Sequence, residues 1–158
     1  CVPPRTNHRR LIIVAKLIPP EYGNYKFMKK LGLDYGRAKI GIAIAEGPLA
    51  EPLKVIKISS WENAFQKIKK EIEREKAETI VVGLSEGEMA REQEEFVKQL
   101  AIFVSVPVII WEETLSTIEA QIFSQEAGIP QKRRKQMEDA YAATIVLQSY
   151  LDEAKIGN

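Results

Sequence analysis

Four acidic residues stand where an α/β fold could put them to chemical use. Asp34 ends the run Leu31-Gly-Leu-Asp34 and is followed by Tyr35-Gly36. Glu112 and Glu113 follow the apolar run that ends at Trp111. Asp139 falls in the first turn or so of a helix expected over 135–154. Sites in α/β sheets form at the carboxyl ends of strands. Two of these positions are such ends, and a helix crossing that edge could supply the third. Ala143, Val146 and Tyr150 follow Asp139 at +4, +7 and +11. That spacing puts Asp139 on an apolar stripe facing the body of the protein. A carboxylate there is costly unless paired or bound to a cation. Carboxylates gathered at one point also raise one another's pKa unless a cation is present. Mg²⁺, or Mn²⁺ in its place, suits such a set, because it takes one or two carboxylates and completes its octahedron with water and phosphate oxygens. Two such ions about 4 Å apart could activate a water and stabilise a leaving oxygen in phosphodiester cleavage.

Each acid also has a simpler explanation when taken alone. Asp34 could form a turn before Gly36. Glu112 and Glu113 could favour the positive end of a following helix, and Asp139 could do the same as a helix-start acid. The trio is more specific than its members. The segment Lys132-Arg133-Arg134-Lys135 places four consecutive positive charges at the start of the final helix. Positive charge opposes the macrodipole there. A phosphate-facing role would account for it, as would a solvated basic loop. Lys39, with Lys29 and Lys30, could extend the patch. Trp61 and Trp111 read as core or rim packing.

The elements that must position these residues follow from periodicity. Leu31–Tyr35 reads as a strand. Lys39–Ala45 is a second, with Ile40, Ile42 and Ile44 on one face, and the short connection between the two indicates a hairpin. Pro52–Ile58 is a third. Ser60 caps a helix in which Phe65, Ile68 and Ile72 share a face. Thr79–Leu84 reads as a buried central strand. Residues 88–103 form a helix with Phe96, Val97, Leu100 and Phe103 inward, and Val106–Trp111 is a fifth strand. A helix over 115–127 ends at Gly128 and Pro130, and the final helix follows. The order β-β-β-α-β-α-β-α-α predicts a five-stranded mixed sheet with helices on both faces.

Length and composition bound the remaining possibilities. The 158 residues suit one domain. Hydrophobic residues are 45% and charged residues 28%, within the ordinary globular range. The net charge of +1 gives no polyanion signal for the chain as a whole, so any nucleic-acid surface must be local. The single cysteine, Cys1, excludes an internal disulfide framework and a cysteine zinc site, and points to a reducing, cytoplasmic compartment. The apolar run 11–15 is too short for a membrane span. Residues 1–27 are rich in Pro, Arg and Asn and show no period. They are expected to be an extension outside the core, with the domain spanning 28–155, so that removing them should leave melting temperature and activity nearly unchanged.

The blocks Leu31-Gly-Leu-Asp34-Tyr-Gly36, Lys39-Ile-Gly-Ile-Ala43 and Pro52-Leu53 resemble the opening of the YqgF-like family, whose members are named Holliday-junction resolvases or pre-16S ribosomal RNA nucleases. Val81-Val-Gly-Leu84 is similar to the family's second block. Trp111-Glu-Glu-Thr-Leu-Ser-Thr117 is similar to its Asp-Glu-Arg-Leu-Thr block. Glu138-Asp139-Ala140 through Asp152 resembles its final helix. The resemblance covers nearly all of 28–152, with the blocks in order. It implies an RNase H-like fold and a metal-dependent nuclease, with catalytic, metal-binding carboxylates at Asp34, Glu113 and Asp139. Glu113 aligns with the family's Glu and Glu112 with its Asp. The chain departs from the pattern at Thr114 and Lys39, where the family usually has Arg, and in the short segment 85–88 after Leu84. Arg and Lys differ in bidentate phosphate binding, so substrate grip is the property most exposed to these changes.

The resemblance therefore implies nucleic acid, structured RNA or branched DNA, as the partner, with no membrane. A junction resolvase would be expected to act as a homodimer, whereas RNA trimming needs only a monomer. A non-catalytic nucleic-acid or ribosome-associated module with the same fold is the alternative, and the absent Arg at 114 speaks for it. An ATP-binding protein of the actin and sugar-kinase type shares the Asp-x-Gly hairpin, but it needs two such halves and this chain has the length of one.

Overall fold

The computed structural model describes residues 12–14, 28–112, 128 and 130–156. Strands β1 (Ile12–Val14), β2 (Lys29–Tyr35), β3 (Lys39–Glu46), β4 (Ala50–Lys57), β5 (Thr79–Leu84) and β6 (Val108–Glu112) form one sheet in the order β1-β6-β5-β2-β3-β4. Helices α1 (Trp61–Glu75), α2 (Met89–Phe103) and α3 (Gln131–Ile156) cover it. β2, β3 and β4 make an antiparallel meander. β5 then pairs parallel to β2 on its other side, and β6 parallel to β5. The direction of chain growth thus reverses between β2 and β5, the kind of switch point at which α/β sheets open a crevice.

The alternation in β2 and β3 decides which helices go where. Leu31, Leu33, Ile40 and Ile42 are fully buried on one face with Ile80 and Val82 of β5, under Phe65 and Ile68 of α1 and Phe96 and Leu100 of α2. The other face sets the small residues Ala43 and Ala45 beside Val81 and Trp111, and takes Ala143, Val146, Leu147 and Leu151 of α3. Ser60 starts α1 as expected, its hydroxyl accepting from the N–H of Asn63 at 3.1 Å. Between α1 and β4 the buried carboxylate of Glu71 is held by Lys54 at 2.7 Å and by Arg74.

Several expectations need correction. The sheet has a sixth strand: Ile12–Val14 pairs antiparallel with Val108–Ile110 of β6 at the sheet edge. Nothing in residues 1–27 has the length or alternation that marks a strand, so edge pairing to an existing strand decides it. Phe103, expected inward, is 38% exposed and lies at the rim, its ring 5.7 Å from that of Phe65. The final helix starts at Gln131, not at Lys135, because the Arg134 N–H already bonds the carbonyl of Pro130. The helix expected over 115–127 lies outside the described residues, while Gly128 takes the left-handed φ of +67 expected of a helix-ending glycine. No helix among the described residues is long and apolar enough to cross a membrane.

Candidate active site

Asp34 is the penultimate residue of the central strand β2, with Gly41 of β3 on one side of it in register and Gly83 of β5 on the other. Paired residues on adjacent strands point to the same face. A methyl group at Gly41 would stand 1.9 Å from the carbonyl oxygen of Asp139, and one at Gly83 would stand 2.7 Å from Val146. The Asp34 side chain therefore shares the α3 face, and the two glycines let the helix descend onto the sheet beside it. Asp139 rides on the turn of α3 that touches Gly41.

The electrostatics agree with this placement. The Asp34 carboxyl is only partly exposed, and burial pushes its pKa up to about 7, with the neighbouring Asp139 carboxylate adding to the rise. Among the described residues Asp139 pairs with Lys39, whose Nζ is 3.5 Å away and which stands half-exposed at the start of β3. Lys39 is thus on the same face as both acids and offsets part of their repulsion. Asp139 lies more than two turns inside α3, whose macrodipole acts mainly within its first turn. The helix-start explanation for this acid therefore fails.

Glu112 and Glu113 fare differently. Glu112 ends β6 in register with Leu84, whose side chain belongs to the α1/α2 core. Its carboxylate is on the face away from Asp34. Glu113 and Thr114 lie outside the described residues. Among the described residues no group of three potential metal ligands comes together; the structure unites two of the three expected carboxylates.

The basic residues Lys132, Arg133, Arg134 and Lys135 occupy the first turn and a half of α3, upstream of Asp139. Lys132, Arg133 and Lys135 are exposed. Arg134 is not fully exposed, and its Nε is buried without a hydrogen-bond partner among the described residues. A buried donor left so is uncommon and costly.

Sequence reasoning missed a polar clamp behind the site. Tyr35 points to the opposite face from Asp34. Its hydroxyl donates to Glu92 at 2.7 Å and accepts from Trp61 Nε1 at 3.0 Å. Burial and the Glu92 carboxylate push the tyrosine pKa up. The bonds from Tyr35 and Arg37 hold Glu92 below its ordinary value. No spacing in the sequence signals contacts that span 55 residues or more.

The sequence profile of the RuvX family, described as Holliday junction resolvase, matches residues 28–153. The chain belongs to that family. A relative from Thermoanaerobacter pseudethanolicus named "Putative pre-16S rRNA nuclease" is 37% identical over 137 residues, covering 81% of this chain and 99% of that protein. One of the same name from Syntrophus aciditrophicus is 35% identical, covering 79% and 89%. Among solved structures, Thermus thermophilus RuvC in complex with a Holliday junction substrate superposes with a TM-score of 0.53 at 16% identity, over 83% of this chain and 97% of that one. The fowlpox virus Holliday junction resolvase gives 0.54 at 15% identity, over 80% and 99%. At these identities the likeness is one of fold, and the fold of this RuvX-family chain is the RNase H-like fold of the resolvases.

Proposed function

We propose that this RuvX-family chain is a divalent-metal-dependent nuclease that hydrolyses phosphodiester bonds in precursor ribosomal RNA or in branched DNA, with Asp34, Glu113 and Asp139 as its metal-binding carboxylates. Nuclease chemistry follows from the family and from the names of the relatives. The observation that carries the metal is the burial of Asp34 beside Asp139. Two carboxylates meet where Gly41 and Gly83 let α3 approach the sheet, and burial, with the charge of Asp139, pushes Asp34 to near-neutral pKa. Hard carboxylate oxygens fit Mg²⁺ or Mn²⁺. Bound there, the metal would supply Lewis-acid stabilisation and a water of lowered pKa. Glu113 is preferred to Glu112 because Glu112 faces the α1/α2 core side, away from Asp34, and because Glu113 aligns with the family's Glu.

The protein's own groups would hold and orient the substrate. Lys39 stands beside Asp139, where it would offset charge as a phosphate approaches. Lys132, Arg133, Arg134 and Lys135 would track the backbone. Replacing the four with alanine is expected to weaken binding without moving kcat. The slope of log affinity against log salt should fall by about 1 for each phosphate that the variant no longer engages. An unchanged slope would remove the patch from the substrate path.

The deciding experiment incubates the protein with precursor ribosomal RNA and, separately, a four-way DNA junction, under Mg²⁺, Mn²⁺ or chelator, beside Asp139→Asn. Metal-dependent cleavage lost in the variant supports the nuclease, and the substrate that is cut names the role. Binding with no cleavage of either favours the non-catalytic module, to which Thr114 in place of the family's Arg lends weight. We propose further that 28–155 is the unit that folds by itself. Deleting 1–27 removes three strand pairs at one edge, so melting temperature should fall by no more than about 4 °C, the equivalent of about 1 kcal/mol in a chain of this size. A larger loss would make the extension part of the core.

A further inference from the structure

The main-chain ladder between β2 and β5 gives way at the point where the site begins. Its register runs from Lys30↔Thr79 to Asp34↔Gly83. In a parallel ladder of this phase the next rung would join the Ser85 N–H to the Tyr35 carbonyl. Each of these groups turns instead to Gln93 of α2. The Ser85 N–H donates to Gln93 Oε1 at 2.7 Å, and Gln93 Nε2 donates to the Tyr35 carbonyl at 3.4 Å. A primary amide presents the same donor and acceptor as a peptide unit, so the side chain fills the place of a rung while adding its own width. The remaining Nε2 hydrogen goes to the Ser85 hydroxyl at 3.1 Å. Gln93 is 1% exposed, and a polar group so buried needs these partners.

The wedge sits at the switch point of the sheet, one residue beyond Asp34. Its neighbour in α2, Glu92, takes the Tyr35 hydroxyl, so two consecutive helix residues grip Tyr35 by its side chain and by its carbonyl. Any shift of Tyr35 moves the Asp34 backbone with it.

We propose that Gln93 is a positioning residue of the active site: its carboxamide, standing in for a ladder rung, holds the β2 and β5 ends apart and fixes where Asp34 presents its carboxylate. The proposal rests on the reading of Asp34 as a metal ligand. Groups that orient ligands typically change metal affinity or activity by 10–100-fold when replaced.

The test uses the full chain with Gln93→Met, which keeps length and volume but loses both hydrogen-bonding atoms. It also uses Gln93→Glu, which keeps the acceptor for Ser85 and sets a carboxylate against the Tyr35 carbonyl. Mn²⁺ is titrated calorimetrically well below the melting temperature, and kcat and KM are measured on whichever nucleic acid the wild type cuts. Both variants should bind Mn²⁺ about 10-fold more weakly and turn over about 10-fold more slowly. KM should stay within about two-fold, because the substrate-facing charges are untouched. A lowered melting temperature with Mn²⁺ affinity and kcat unchanged would make Gln93 a packing residue only and overturn the proposal. If one variant fails to fold, the other answers the same question. A wild type that neither binds Mn²⁺ nor cleaves would overturn the metal reading and this proposal with it. A wild type that does both, matched by its variants, would overturn the role of Gln93 alone.

Discussion

Replacing Asp34 with Asn is expected to raise the melting temperature of the metal-free protein at pH 8 while abolishing the metal-dependent cleavage proposed above. The reason is that the fold raises the Asp34 pKa to about 7, against about 3.9 in an unfolded chain. Between those values the folded protein holds a proton that the unfolded chain has released. Stability contributed by this group is therefore complete below about pH 4 and is lost as pH rises to about 7. At pH 8 the ionised carboxylate costs the fold about 2–4 kcal/mol. Asn, uncharged and of the same shape, escapes that cost. In chelator at pH 8 the variant should melt about 5–10 °C higher than wild type, and the difference should shrink to nothing by about pH 4. Saturating Mg²⁺ or Mn²⁺ should close the gap from the other side by stabilising only the wild type, by about 2.7 kcal/mol at a hundred times its dissociation constant. Cleavage should fall by about 10³-fold or more, the scale for losing one member of a set that acts together. Thermal scans with and without metal across pH 4–8, beside a cleavage assay, check all of this. A variant that melts at or below wild type at pH 8 would show that Asp34 is under no electrostatic load.

What the sequence could reveal depended on how local each signal is. The five main strands and the α1 cap were legible because alternation and capping are written within a few residues, as in Ile40, Ile42 and Ile44 or in Ser60 and Asn63. Asp34 was legible as a candidate because it ends a strand, and Asp139 because the helical period puts it on an apolar stripe facing the interior. Whether they meet was not, since that depends on how deeply α3 descends. The descent is set by Gly41 and Gly83, which read in sequence only as small residues inside strands. The choice between Glu112 and Glu113 rested on the family resemblance; the register of Glu112 with Leu84 shows only that Glu112 faces away from Asp34. The edge strand at Ile12–Val14 was invisible because three residues carry no period. The Gln93 wedge was invisible for another reason: in a helix, a buried glutamine looks like any surface glutamine until its partners 58 and 8 residues away are known.

The second large effect follows from that descent. Gly41→Ala would place a methyl carbon 1.9 Å from the Asp139 carbonyl oxygen, 2.1 Å from its carbonyl carbon and 2.6 Å from the Ala140 nitrogen, where ordinary contact begins at 3.4 Å. All three atoms are helix backbone, so no rotamer change relieves the overlap and α3 must lift by more than an ångström. The lift falls on the turn that carries Asp139. A cost of about 3 kcal/mol or more is expected, at or beyond the upper end of overpacking effects. At a temperature where the variant remains folded, cleavage should still fall by about 10²-fold, the penalty for misplacing a reacting group by about 1 Å. Gly83→Ala makes the informative contrast. Its methyl would meet the Val146 side chain at 2.7 and 3.2 Å, and those atoms can be removed. Gly83→Ala alone should cost about 1–3 kcal/mol, and Val146→Ala in the same chain should recover part of it by vacating the space. No side-chain truncation on α3 should rescue Gly41→Ala, because what it strikes is the main chain. If Gly41→Ala were as mild as Gly83→Ala, α3 would be free to shift on the sheet. The meeting of Asp34 and Asp139 would then owe nothing to this glycine.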